Sequence, residues 1–211
     1  MGPRFTDALV RACGWHETQI RKKTGHAVPY ISHLLAVAAL VLEDGGSEDE
    51  AIAALLHDTV EDQGVSPAQI ADAYGEEVAR IVVACSDSIG GPGLPKPQWL
   101  QRKRRHLFHL GELGADHAVL RVTAADKLHN CRDLVADVRT DGVAALAAFR
   151  GGVEGTCWYY ARMSELLDAR FPASRLTADL ARETRVLHEL VGISFPAPEP
   201  TDMQLTARGG T

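Results

Sequence analysis

No two of the four cysteines in this 211-residue chain (Cys13, Cys85, Cys131, Cys157) stand close enough to make a CxxC pair. That leaves no paired-cysteine motif to read, and scattered thiols of this kind fit a reducing cytoplasm. No apolar run approaches the ~20 residues that span a bilayer, and the opening MGPRFTDALV lacks the apolar stretch of a secretory signal. A cytoplasmic protein without a membrane partner is expected. There is no excess of positive charge either: 22 Lys and Arg stand against 28 Asp and Glu, a net −6. That balance speaks against a protein built to coat nucleic acid. Alternating strands of convincing length and internal repeats are also lacking, and nothing in the chain reports an oligomeric state.

Helical periodicity is present almost throughout. Thr6 can cap a first helix running to about Lys23. Pro29 suits a helix first turn, and an apolar stripe follows to a stop at Gly45. Ser47 with Glu50 forms a capping box for a helix carrying His57. Ser66-Pro67 with Gln69 opens a short helix closed by Gly75, and Glu76 to about Ser86 is another. The run Gly90-Gly91-Pro92-Gly93-Leu94-Pro95-Lys96-Pro97 cannot hold regular structure and reads as a loop. Helical patterns resume at Trp99–Leu113, His117–Arg139, Val153–Arg170 and Ala173–Val191. The expectation is an all-α fold in one domain over 1–195, with a flexible tail over 196–211.

Chemistry concentrates between Ala54 and Gly64, where the chain reads ALLHDTVEDQG. At a spacing of four, Glu61 lies over His57 and Asp62 over Asp58 on one helical face. Two readings stand at this point. One is a core helix ending in a solvated acidic turn; the other is a pair of ligands for a divalent ion, His57 and Asp58, beside two carboxylates that handle water. One His and one Asp cannot close a site, which needs about four protein ligands or three and a water. His33, among apolar neighbours, is a candidate third ligand or a core histidine. Asp126, inside a largely apolar helix, is costly without compensation; a metal would provide it, as would a salt bridge to Lys127 or Arg132. Asn130 shares the face of Asp126.

The order His33, His57-Asp58, Asp126 resembles the pattern of HD phosphohydrolases. The flanking words are narrower. Arg21-Lys22-Lys23, Pro29-Tyr30-Ile31-Ser32-His33, HDTVED and Ala125-Asp126-Lys127-Leu128-His129-Asn130 resemble the hydrolase domain of the RelA/SpoT-homologue family, from about Arg21 to Arg132. With no synthetase-sized segment following, the chain is similar to the stand-alone small alarmone hydrolases. This resemblance implies an HD-domain helical bundle with a metal site between helices. It implies that His33, His57, Asp58 and Asp126 hold a Mn²⁺-like ion, and that Glu61 and Asp62 act on the water nucleophile. Asn130 would touch the nucleotide sugar, and Arg21 with Lys22, or Lys22 with Lys23, the base and phosphates. The implied activity removes the 3′-diphosphate of guanosine alarmones, (p)ppGpp, as pyrophosphate. Two N and two O ligands suit Mn, Fe, Co or Zn.

The chain departs from the family form in three places. Eight positions separate Arg21 from Pro29, Lys127 follows the last metal Asp where the family has Arg, and Cys85-Ser86-Asp87-Ser88 replaces a Thr-Lys pair. A basic run, Arg102-Lys103-Arg104-Arg105, is either a solvated face or a source of one or two phosphate contacts, of which Arg102 is the candidate. Trp158, Tyr159 and Tyr160 read as packing residues, as does His129. Rival functions keep the site and change the substrate to an adenosine alarmone or a phosphorylated nicotinamide cofactor, or keep binding and lose turnover, as in a nucleotide-binding regulator. A purely structural scaffold leaves the buried carboxylates unexplained.

Overall fold

The computed structural model describes residues 1–21, 27–86, 98–112 and 116–201. Among them every regular element is helical, joined by one isolated backbone bridge between Ile20 and Pro29. Helix α1 spans Pro3–Trp15. It starts before Thr6 and stops well short of Lys23, because the segment beyond it pairs with distant backbone. Arg21 N–H donates to Val28 O at 2.9 Å and Tyr30 N–H to Gln19 O at 2.9 Å. A local pattern cannot foresee hydrogen bonds of that kind.

Helix α2 (Ile31–Glu43) carries His33. Helix α3 (Glu48–Leu56) opens on the expected box: Ser47 Oγ accepts from Glu50 N at 3.2 Å and Glu50 Oε2 from Ser47 N at 2.6 Å. Its whole apolar run, Ala51 to Leu56, is sealed from solvent. Full burial of a Leu or Ile is worth ~1.5–3 kcal/mol, so α3 is the axle on which α1, α2, α6 and α8 pack. The helix ends at Leu56, and α4 (Thr59–Gln63) begins after a break at His57-Asp58 and stops at Gly64, whose φ of 69° suits glycine. A single unbroken helix over this window, as the spacing suggested, is therefore not formed.

The Ser66/Gln69 box opens α5 (Pro67–Tyr74), followed by α6 (Glu76–Cys85). The Gly90–Pro97 stretch lies outside the described residues. Helix α7 spans Trp99–Glu112 and α8 His117–Asp141, the latter started by Asp116 Oδ1 accepting from Val119 N at 3.3 Å. A 3-10 turn (Val143–Ala148), unforeseen by the periodicity, leads to α9 (Gly152–Arg170), and α10 (Arg175–Val191) closes the bundle against α8 and α9. One charged knot ties four of these helices. Arg121 of α8 pairs with Asp44 at the end of α2 and with Glu50 of α3, and Ser174 at the start of α10 donates to Asp44 at 3.0 Å. Past α10, Ala197 and Pro200 are buried, and Arg104 Nε meets Glu199 Oε1 at 2.6 Å, so the chain lies against the body as far as this point.

Candidate metal centre and its cleft

Two adjacent residues on a regular helix point ~100° apart. The break between α3 and α4 removes that constraint, and His57 Nε2 and Asp58 Oδ2 come within 3.0 Å of each other. From α2, His33 Nε2 reaches within 3.8 Å of the same Asp58 oxygen. From α8, Asp126 Oδ1 lies 3.2 Å from His33 Nε2 and 3.6 Å from His57 Nε2. One ligand atom each from His33, His57 and Asp58 fit within 4.8 Å of one another, and Asp126 closes the side toward α8. Three separate stretches of chain thus converge on one point.

The ring nitrogens decide what that point can hold. Nδ1 of His57 lies 2.8 Å from Ala54 O and donates to it, so in the neutral ring the lone pair is at Nε2. Nε2 of both His33 and His57 is buried without a hydrogen-bond partner. Orphaned buried nitrogens facing two carboxylates form a cavity short of positive charge. The electrostatics of the cluster point the same way. Burial works against charge on His57, but the carboxylates of Asp58 and Asp126 outweigh it and push its pKa well above the usual imidazole value. Burial opposes ionisation of Asp58 and Asp126, yet His57, with Lys127 at Asp126, holds both carboxyls below the usual range. Burial keeps His33 neutral. A divalent cation supplies the missing charge and takes both lone pairs, so the donor set fits a metal.

Asp58 and Asp126 open the centre onto a cleft of about 480 Å³. Glu61 and Asp62 line it beside Asp58. Asp62 N–H still donates to Asp58 O at 2.8 Å, which keeps this acidic turn one helical turn past the centre despite the break. Asp62 Oδ2 accepts from Gln19 Nε2 at 2.7 Å, and Glu61 Oε1 from Arg102 at 3.3 Å. The basic run of α7 divides: Arg102 and Lys103 line the cleft, Lys103 with its ammonium 4.5 Å from the Tyr159 ring centre, while Arg104 faces Glu199 outside.

Arg21 and Asn130 also line the cleft, but neither is a bare hook for a ligand. Arg21 donates to Asn130 Oδ1 at 2.9 Å and to Asp133 Oδ2 at 2.7 Å. Asn130 in turn donates to Asp126 Oδ1 at 2.5 Å. Both ends of the amide are engaged, so Asn130 links the arginine to a centre carboxylate. Lys22 and Lys23 lie outside the described residues. Trp158, Tyr159 and Tyr160 are buried as packing predicts, and Tyr159 and Tyr160 additionally face the cleft opposite α8.

Further side chains complete the site. Tyr30 donates a short hydrogen bond to Asp58 Oδ2; three residues before His33, it shares that helical face, a signal that was there to use. Lys127 holds the second oxygen of Asp126 at 2.6 Å. His129 sets its Nδ1 2.8 Å from Nδ1 of His33; burial and the neighbouring His33 bring its pKa down to about 4. Gln19 had no signal, since only the fold brings it to Asp62.

The family follows from these observations and from likeness together. A family model described as HD domain matches residues 8–148. The chain belongs to the HD-domain family. Within it, guanosine-3′,5′-bis(diphosphate) 3′-pyrophosphohydrolase MESH1 of Xenopus tropicalis is 38% identical over 118 residues, 55% of this chain and 62% of that protein. The chain thus spans less than two thirds of that relative. The protein of the same name from Drosophila melanogaster is 30% identical over 139 residues, 65% of this chain and 73% of its own. A solved structure, described as a metazoan ortholog of SpoT that hydrolyzes ppGpp, superimposes with a TM-score of 0.69 over 88% of this chain and 96% of that one. At 22% identity that is a likeness of fold. It bears out the all-α HD bundle, and the relatives bear out the resemblance drawn from the motifs.

Proposed function

We propose that the chain is a metal-dependent pyrophosphohydrolase that removes the 3′-diphosphate of guanosine alarmones, (p)ppGpp, in the cytoplasm. The observation that carries this reading is the pair of buried imidazole nitrogens, without a hydrogen bond, that face Asp58 and Asp126, two carboxylates that line an open cleft. The activity named for the MESH1 relatives supports the choice of substrate. His33, His57, Asp58 and Asp126 would hold the ion. When bound there, a divalent metal, Mn²⁺ in this proposal, supplies Lewis acidity toward a phosphoryl oxygen.

The chain's own residues do the rest. Glu61 and Asp62 orient the attacking water and take its proton, a role worth ~10²–10⁴-fold in rate. Arg102 stands beside Glu61, so a diphosphate entering there meets a guanidinium fork suited to its oxygens. Lys103 adds a second positive charge on the same wall. Arg21 and Asn130 form the nucleoside end, coupled to the centre through Asp126. The test is to follow release from guanosine tetraphosphate with Mn²⁺ present. Pyrophosphate as the product, abolished by a chelator, is expected; orthophosphate as the sole product would move the chain to another class of HD phosphohydrolase.

A further inference from the structure

The two imidazoles of the centre are steered by unlike partners. Nδ1 of His57 donates to the carbonyl of Ala54, one turn back on α3. That acceptor is backbone and survives any substitution. Nδ1 of His33 instead lies 2.8 Å from a side chain, Nδ1 of His129 on α8, three residues past Asp126. The two rings stand 4.9 Å apart at 45°.

The proton count on this pair is constrained. Nε2 of His33 is buried, has no hydrogen-bond partner and lies 3.2 Å from Asp126 Oδ1. To offer a lone pair to an ion, it must leave the ring proton on Nδ1. That proton points at His129, so His129 must present its own lone pair at Nδ1 and carry its proton on Nε2. We propose that His129 is a positioning residue: it fixes the tautomer and the ring orientation of His33 and so sets the affinity of the centre for its metal. The inference rests on the metal-centre reading given above. Outer partners of this kind typically govern metal affinity by about 10–100-fold.

The experiment is a calorimetric Mn²⁺ titration of the full chain without nucleotide, comparing the parent with His129→Leu, His129→Ala and His129→Asn. The Asn side-chain oxygen can accept where Nδ1 does, whereas Leu and Ala cannot. Expected is a loss of affinity of about 10–100-fold in the Leu and Ala variants and recovery to within a few-fold of the parent in the Asn variant. Co²⁺-loaded protein gives a second readout: the visible spectrum shifts in the Leu and Ala variants and returns in the Asn variant. The Ala variant serves if the Leu variant does not fold. Parent-like affinity in either acceptor-less variant would overturn the proposal, as would an Asn variant as weak as they are, since only packing would then be at stake. A parent chain that binds no Mn²⁺ would overturn the metal-centre reading itself, a distinguishable result.

Discussion

Asp58 and Glu61 stand three residues apart and are expected to fail differently. Asp58 Oδ2 lies among both imidazoles and accepts from Tyr30, so Asp58→Ala should leave a chain that keeps its helices by circular dichroism and retains no metal after dialysis. Full occupancy in that variant would contradict the four-residue centre. Glu61 and Asp62 instead line the cleft, bonded to Arg102 and Gln19. Glu61→Gln and Asp62→Asn should keep metal and nucleotide binding and lower turnover by at least ~100-fold; turnover within a few-fold of the parent in both would move proton handling elsewhere. At this scale the sequence was generous with residues that bear their own chemistry. His33, His57, Asp58 and Asp126 stand out by type and order through the resemblance to HD phosphohydrolases, while the salt bridge between Asp126 and Lys127 was the other reading the sequence offered. The supporting residues were less legible: Tyr30 and His129 stand out only by where their polar atoms point, and Arg21 and Asn130 line the cleft as a bonded pair.

Element boundaries show what local pattern encodes and what it leaves out. The capping boxes at Ser47 and Ser66 were visible because box residues sit three apart and satisfy each other. Removing one has a calculable effect: Ser47→Ala should destabilise the protein by ~1 kcal/mol, lowering its melting temperature by roughly 2–4 °C. Calorimetric melting checks this, and an unchanged melt would mean that the tertiary packing of α3 alone fixes its start. The end of α1 and the break at His57-Asp58 were not legible. In the first case backbone groups of residues 19–21 bond to residues 28–30, and in the second the convergence of α2, α3 and α8 sets where the helix must stop. Both are decisions of tertiary structure, written in no single window.

Across the whole molecule, the centre joins α2, the α3–α4 break and α8, so an ion bound there binds the folded state alone. At free Mn²⁺ one hundred times its dissociation constant, mass action adds ~2.7 kcal/mol, a rise of roughly 5–10 °C in melting temperature for a chain of this size. A chelator should reverse the rise and Asp58→Ala should abolish it; a melt indifferent to metal in the parent would argue against a centre spanning these elements. Within an acidic chain, Arg102 and Lys103 set two cations on one wall of a cleft whose lining also carries Asp58, Glu61, Asp62, Asp126, Asp133 and Asp137. What the whole cleft selects is the central claim, and turnover measures it most directly: guanosine tetraphosphate and its adenosine counterpart, side by side in Mn²⁺, with pyrophosphate as the readout. Pyrophosphate release at a higher kcat/KM for the guanosine nucleotide is expected. No pyrophosphate from either nucleotide, with metal demonstrably bound, would contradict it.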